Sequence, residues 1–207
     1  MKRLFVGGIA LALAAAVTPI ATASPAGAAT PPTLADVLLY DSATDGANGF
    51  DRRWNDYDIV TQAALLFPDL VAAASDPNAS LTALLPTDQA FRALATELTK
   101  QYYSSEADVF AAVASLGTDT VKAVLTYHLV GAKLDPATVL SSDLVQVTSL
   151  SGAAWTVDVI NARRAIVQFV DGDPNARNAF LYQPNVGGVL ANGYAHGVDR
   201  VLRPLDL

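Results

Sequence analysis

The chain has 207 residues, no cysteine and a formal net charge of −7 at pH 7. The negative charge disfavours binding to nucleic acid and to anionic lipid. Without cysteine, the chain cannot be one of the small secreted modules that disulfides hold together, so packing alone must stabilise the fold.

Residues 1–29 have the pattern of an export signal. Lys2 and Arg3 supply a positive start, and an alanine-rich apolar run over 4–20 precedes two small-x-small sites at 21–23 and 26–28. The run is weakly hydrophobic for a permanent membrane span. We therefore expect a cleaved signal peptide of bacterial type, a secreted or loosely cell-wall-associated protein, and no stable membrane insertion after cleavage. Loss of Lys2 and Arg3 would change the net charge from −7 to −9.

Residues 30–56 are predicted as an N-terminal extension with one short helix and a polar loop. Thr33 is expected to cap that helix, with Asp36 in its favourable first turn, and the polar residues 41–55 predict the loop. Helical spacing of apolar residues resumes over 59–67, where Pro68 must interrupt or restart the helix.

Residues 57–207 are predicted as one domain in which helices precede strands. A strand over 81–85 leads into a helix that Thr87 caps. Further predicted helices cover 109–116 and 118–128, and predicted strands cover 155–160, 166–170 and 194–202. Because the helices come first and the strands later, the predicted class is α+β.

Three segments, in this order, resemble the fasciclin-like domain: Leu81–Phe91, Val124–Val130 and Ala191–Leu202. The residues that carry the resemblance are Pro86, Thr87, Asp88, Phe91, Tyr127, His128, Asn192, Gly193, His196 and Asp199. The resemblance runs from about Tyr57 to Pro204. One departure is the region 171–188, which is longer than the family's link before the third segment.

The resemblance implies a fasciclin-like wedge of two small β-sheets with a flanking helical layer. It also implies cell adhesion, or binding to an extracellular matrix or cell-wall protein, without catalysis and without a cofactor. The expected partner is an extracellular or cell-surface protein or polymer. The alternative function is an extracellular carrier of a small apolar ligand, held between the sheets and the helices.

The two histidines are the first candidates for a catalytic or ligand-binding role. His128 shares the apolar stripe of its predicted helix, and His196 lies in the last predicted strand. Strand alternation places His196 and Asp199 on opposite faces, and the sequence has no nucleophile elbow to complete a hydrolase triad. We therefore expect both histidines to be structural, with no catalytic residue in the chain.

Two acidic loops raise the question of calcium. The first contains Asp41, Asp45, Asn48, Asp51, Asp56 and Asp58, and the second is Asp171–Asn175. Neither matches the ligand spacing of an EF-hand, because Arg52 and Tyr182 occupy the twelfth positions. We expect no metal site, and we keep weak calcium binding by these loops as a hypothesis that a calcium titration of the melting temperature tests.

Exposed aromatic side chains of loops are the expected contacts for an adhesion partner. The candidates are Phe50, Trp54, Tyr57, Tyr102 and Tyr103. Each of them fits a core position equally well.

Overall fold

A computed structural model of the protein describes residues 30–44 and 49–205. Within that part of the chain the helices are α1 (Leu34–Thr44), α2 (Asp58–Leu65), α3 (Pro68–Ser75), α4 (Asp88–Thr99), α5 (Glu106–Ala114), α6 (Thr118–Tyr127) and α7 (Pro136–Ser141). The strands are β1 (Leu81–Pro86), β2 (Leu129–Val130), β3 (Val145–Thr148), β4 (Ala154–Asn161), β5 (Ile166–Val170), β6 (Ala179–Gln183) and β7 (Gly193–Val198), with a short 3₁₀ turn over Ala162–Arg164.

The strands form one continuous seven-stranded sheet in the order β2-β1-β7-β6-β5-β4-β3. This corrects the expectation of two small sheets: β6 pairs with both β5 and β7 and joins what would otherwise be two halves. The pair β1–β7 is parallel, and every other pair is antiparallel. The two ends of the sheet also approach each other, because Leu150, just after β3, donates its N–H to the carbonyl oxygen of Leu129 in β2.

The β1–β7 pair lies at the centre of the molecule. All six residues of β1 are buried, as expected for a strand covered on both faces. Gly193 begins β7 at φ +153°, and a Cβ atom there would overlap the carbonyl oxygen of Leu81, 1.7 Å away. Only glycine allows the two backbones to approach this closely.

Two hydrophobic clusters lie on opposite faces of β1. The first packs the helices against the sheet and includes Ile59, Phe91 and Ala83. The second consists mainly of strand residues packed against one another, and it includes Leu84, Tyr127 and Trp155. The Trp155 ring meets the Phe169 ring edge-on, at 5.4 Å between ring centroids. Because successive side chains of a strand point to opposite faces, β1 contributes Ala83 to the first cluster and Leu84 to the second.

Several elements differ from the sequence-based expectations. Helix α1 continues through residues 41–44, which were expected to be loop. The expected restart of the helix at Pro68 is confirmed, because Pro68 is the first residue of α3. Gly117, at φ +93°, occupies the N-cap position of α6, and Thr118 is the first helical residue. The described chain also contains α7, β3 and β6, which the sequence reasoning did not predict.

The expected signal peptide lies outside the described residues. Within residues 30–44 and 49–205, no single helix is long and apolar enough to cross a membrane. Two sharply bent pairs, α2 with α3 and α5 with α6, satisfy the criteria of length and composition only.

Candidate functional site

His128 is fully enclosed and bonded to backbone on both sides. It follows the last residue of α6, and its Nδ1 donates to the carbonyl oxygen of Val124 at 2.7 Å, while Nε2 accepts the N–H of Leu202 at 2.9 Å. Burial lowers the pKa of His128 to about 4, so the ring is neutral at neutral pH. His128 therefore ties α6 to the segment after β7.

His196 has an equivalent arrangement in β7. Its Nδ1 accepts the N–H of Asn185 at 3.2 Å, and its Nε2 donates to the carbonyl oxygen of Leu134 at 2.8 Å. Burial lowers the pKa of this histidine as well. Asp199 accepts the N–H of Phe180 at 2.7 Å. The four ring nitrogens of the two histidines thus bond backbone groups, which gives neither ring the partners of a general base.

Asn192 joins three elements through its side-chain amide. Its Oδ1 accepts the N–H of Leu34 at the start of α1, at 3.0 Å, and its Nδ2 donates to the carbonyl oxygen of Ala74 in α3, at 2.7 Å. Asn192 itself is fully buried directly before β7. Asn192, in the third fasciclin-like segment, therefore hydrogen-bonds the 30–56 extension to the rest of the domain.

Other residues of the first two fasciclin-like segments also have structural roles. Pro86 is the last residue of β1, opposite Val198 of β7. Thr87 caps α4 by accepting the N–H of Ala90 at 3.2 Å, and Phe91 is buried in the first core cluster. Tyr127 is buried, and its hydroxyl donates to the carbonyl oxygen of Ala154 at 2.9 Å.

The five aromatic candidates for surface contact differ widely in exposure. Tyr57 is 6% exposed and lies in the first core cluster, which differs from the expectation that it is a surface contact. Phe50, Trp54 and Tyr103 are partly buried and pack against the same cluster. Tyr102 alone among the five is largely exposed, at 73%.

Tyr102 and Trp54 both meet the guanidinium of Arg92, and we call this group the Trp54–Arg92–Tyr102 stack. The Cζ atom of Arg92 lies 3.9 Å from the Trp54 ring centroid and 5.4 Å from that of Tyr102. Gln89 accepts a hydrogen bond from the same guanidinium. The arrangement presents aromatic surface and one positive charge together at the start of α4, on an otherwise acidic protein.

Carboxylates from three helices meet beneath the loop over residues 50–56. Asp58, Asp88 and Glu106 are the first residues of α2, α4 and α5, and all three are buried. Each offers an oxygen, and these oxygens lie within 4.8 Å of one another. A second, more exposed group of Asp51, Asp56 and Asp58 shares Asp58 with the first.

This cluster was only partly visible in the sequence. The sequence places Asp51, Asp56 and Asp58 in one acidic loop and Asp88 in the first fasciclin-like segment, but no pattern marks Glu106. Burial raises the pKa of Asp88 well above its ordinary range, and the neighbouring carboxyl of Asp56 and the charge of Asp58 raise it further. Its Oδ1 accepts the N–H of Ile59 at 2.9 Å, so Asp88 caps α2 as well as starting α4.

The second acidic loop is a bonded turn anchored by Arg203. Asp173 accepts the N–H groups of Asn175 and Ala176, and its Oδ2 lies 3.2 Å from the guanidinium of the buried Arg203. The same guanidinium contacts Glu97 at 2.7 Å, and Asp171 accepts the backbone N–H of Arg203 at 2.8 Å. The sequence reasoning missed Arg203, which has no motif to mark it.

Comparisons with known proteins bear on the family and the fold of the chain. The family model described as the fasciclin domain matches residues 57–204. No curated protein matches the chain in sequence.

One similar solved structure is a FAS1 domain pair from the insect cell adhesion molecule Fasciclin I. The TM-score is 0.57 at 15% sequence identity, and the alignment covers 84% of this chain and 51% of that chain, so this chain spans about half the length of that structure. At this identity the likeness shows the fold alone. The family match covers well over half of the chain, and the chain belongs to the fasciclin domain family.

Proposed function

We propose that the protein is an exported, non-enzymatic adhesion module that binds a cell-surface or cell-wall protein or polymer outside a bacterial cell. The single observation that carries the proposal is the fasciclin domain match over residues 57–204, because this domain family is often linked to adhesion. The export pattern of residues 1–29 supports an extracellular location.

The structural use of the two histidines supports the absence of catalysis. All four ring nitrogens bond backbone groups, and burial lowers the pKa of both residues. A general base needs a pKa near the working pH and a ring nitrogen directed at a substrate. These histidines instead hold β7 and the segment after it in place.

The Trp54–Arg92–Tyr102 stack is the surface that we assign to the partner. Tryptophan, tyrosine and arginine are the residue types that dominate binding energy at protein interfaces. Holding Arg92 between defined neighbours also reduces the side-chain entropy that binding must remove.

A carrier of small apolar ligands is less well supported. The apolar cavity between the helices and β1, lined by Leu34, Leu38, Val60 and Leu129 among others, has a volume of about 60 Å³. Pockets for drug-sized ligands are roughly 300–1,000 Å³. This cavity is therefore too small for a drug-sized ligand.

A pull-down from extracts of the cell envelope tests the proposal. The immobilised protein should retain a partner that an Arg92→Ala/Tyr102→Ala variant loses and that a Tyr182→Ala variant keeps, since Tyr182 is half exposed on β6. The partner, once purified, should bind the protein directly. Retention of the same material by all three proteins would argue against the stack as the contact surface, and no retention by the wild type would argue against adhesion.

Mass spectrometry of the protein from the culture medium tests export. We expect a chain shortened by roughly the first 28 residues. Full-length protein confined to the cell would contradict export, independently of the pull-down.

A further inference from the structure

We propose that Asp58, Asp88 and Glu106 form a binding site for a hard divalent cation, and that calcium is the ion that fits it. The site is separate from the Trp54–Arg92–Tyr102 stack and does not depend on the adhesion proposal. It also departs from the expectation that the chain has no metal site, and it differs from the two acidic loops, because Asp88 and Glu106 lie outside them.

The geometry suits one ion. The three ligand oxygens lie within 4.8 Å of one another, and calcium binds oxygen at about 2.3–2.6 Å, so two ligands of one calcium ion are separated by at most about 5 Å. The ligand set consists of carboxylates only, without imidazole or thiolate. Such a set selects calcium or magnesium over the softer transition metals.

Within residues 30–44 and 49–205, Glu106 Oε1 and Asp88 Oδ2 have no hydrogen-bond partner. Glu106 Oε2 accepts the N–H groups of Asp51 and Arg52, at 3.0 and 2.9 Å, but its Oε1 accepts none. Asp88 Oδ1 accepts the N–H of Ile59, and apart from a proton shared with Asp56 no donor of the described residues reaches its Oδ2. Glu106 is 2% exposed and Asp88 is 0% exposed, so neither oxygen is open to bulk water. An unsatisfied buried carboxylate oxygen is costly, and a cation between the two would satisfy both.

Helix ends supply positive charge beside the buried carboxyls of Asp88 and Glu106. Asp58, Asp88 and Glu106 each begin a helix, and each helix end supplies only about +0.5 elementary charge. In the described part of the chain, the ion pairs of lysine and arginine involve neither Asp88 nor Glu106. A divalent cation supplies the charge that the helices do not.

The more exposed group provides a way in. Asp51 and Asp56 are partly exposed and lie with Asp58 in a second set of oxygens within 4.8 Å of one another. The backbone of the covering loop is held by Glu106 itself, through Asp51 and Arg52. A cation can therefore be captured at the surface by Asp51 and Asp56 and pass to the buried ligands through Asp58.

A proton shared by Asp56 and Asp88 is the competing explanation of the cluster. Such a proton would relieve the repulsion between those two carboxylates. It would leave Glu106 Oε1 without a partner, which is the feature that the cation explains.

The test is a calcium titration of the full mature protein after treatment with a chelator, near neutral pH and at constant ionic strength. Isothermal titration calorimetry should give one site per chain, and the melting temperature should rise with calcium until the site is saturated. Magnesium should give a smaller effect, because it keeps several waters that a buried site cannot hold.

Two variants with the same change of charge make the test specific. Glu106→Gln removes a ligand charge but keeps an oxygen that can hold the loop, and it should weaken calcium binding at least about tenfold. Asp108→Asn, an exposed change on the same helix, should leave binding unchanged.

Absence of binding to the wild type would overturn the proposal and leave the shared proton as the explanation. Equal binding by Glu106→Gln and Asp108→Asn would also overturn it, because the ion would then sit elsewhere on the acidic surface. If Glu106→Gln does not fold, Asp58→Asn takes its place with the same expected loss.

Discussion

At the residue scale, polar side chains of the fasciclin-like segments form hydrogen bonds between elements that are distant in the chain. His128 links α6 to Leu202, His196 links β7 to Leu134, and Asn192 links α1 to α3. Each side chain is buried with its polar atoms bonded to backbone groups. A buried polar group is stabilising only when it is satisfied, so these residues are specific to this arrangement of elements.

The burial of His128 predicts a loss of stability in acid. Its pKa is about 4 in the folded protein and 6.5 in its ordinary environment, so the unfolded chain binds the proton more tightly. The stability that depends on neutral His128 is complete above about pH 6.5 and is lost as the pH falls to about 4. The shift corresponds to a loss on the order of 3 kcal/mol.

Urea unfolding at a series of pH values measures this effect. Wild type and His128→Gln share the carboxylates that titrate in the same range, so the difference between their pH profiles reports His128. The Gln variant should be less stable at neutral pH and should show a flatter decline between pH 6.5 and 4. Parallel profiles would contradict the assignment of the acid-sensitive contribution to His128.

Thr87→Ala should destabilise the fold by about 1 kcal/mol, because it removes the oxygen that caps α4. The measurement is the free energy of unfolding in urea. Thr87→Ser keeps a capping hydroxyl and should lose much less. An equal loss in both variants would mean that the threonine methyl group, and not the cap, is responsible.

Gly193→Ala tests the close approach of β1 and β7. The new Cβ would overlap the carbonyl oxygen of Leu81, so we expect a loss of more than about 3 kcal/mol or failure to fold. Gly152→Ala is the matched control: this glycine also has a positive φ, +85°, but a Cβ there meets nothing within 4 Å. The control should lose only about 1–2 kcal/mol. A similar, small loss in both variants would contradict the account of the β1–β7 contact.

At the element scale, the sequence predicted best the segments in which one face is strongly apolar. The strand over 81–85, the helix that Thr87 starts and the strands over 155–160 and 166–170 are all confirmed, within a residue or two. Helix α7 was missed because it has six residues, too few for a helical period to appear. The sequence nevertheless has the signals of a helix start there, since Asp135 caps α7 and Pro136 is its first residue.

Strands β3 and β6 were missed for a different reason. β3 is an edge strand whose residues are mostly exposed, so its pattern Val-Gln-Val-Thr has no buried face to mark it. β6 lies inside the longer region between the second and third motifs, and only its first residue is buried. Strand identity here depends on pairing with distant strands, which local propensity does not encode.

The bonds of Arg203 predict how the end of the chain is held. Arg203→Met removes a buried cation from Asp173 and should cost about 3–5 kcal/mol, because Asp173 is then left buried without its charge partner. Glu97→Gln weakens only the half-exposed contact of the same guanidinium and should cost less than about 1 kcal/mol. Unfolding in urea compares the two. An equal cost would mean that the buried pair contributes no more than the exposed one.

At the scale of the whole molecule, the sequence showed the family and the order of helices and strands, but not how the strands join. The single sheet depends on β6, which bridges β5 and β7, and β6 was not predicted. The carboxylate cluster was hidden for the same kind of reason. Asp58, Asp88 and Glu106 come from three helices, and only tertiary packing brings their N-terminal ends to one point.

The surface assigned to adhesion was equally hidden from the sequence. Five aromatic residues were candidates, and burial separates them: Tyr57 is in the core and Tyr102 is exposed. Arg92, which holds Tyr102 and Trp54 together, was not among the candidates. The contact surface therefore follows from packing around α4 rather than from aromatic content.

The central claim is that this fasciclin domain binds a partner at the cell exterior through the Trp54–Arg92–Tyr102 stack. The most direct measurement is a binding titration of the purified protein against isolated cell envelopes, with the Arg92→Ala/Tyr102→Ala variant and the Tyr182→Ala control in parallel. We predict saturable binding by the wild type and the control, weakened at least about tenfold in the double variant. Absence of saturable binding by the wild type, or equal affinity of all three proteins, would contradict the claim.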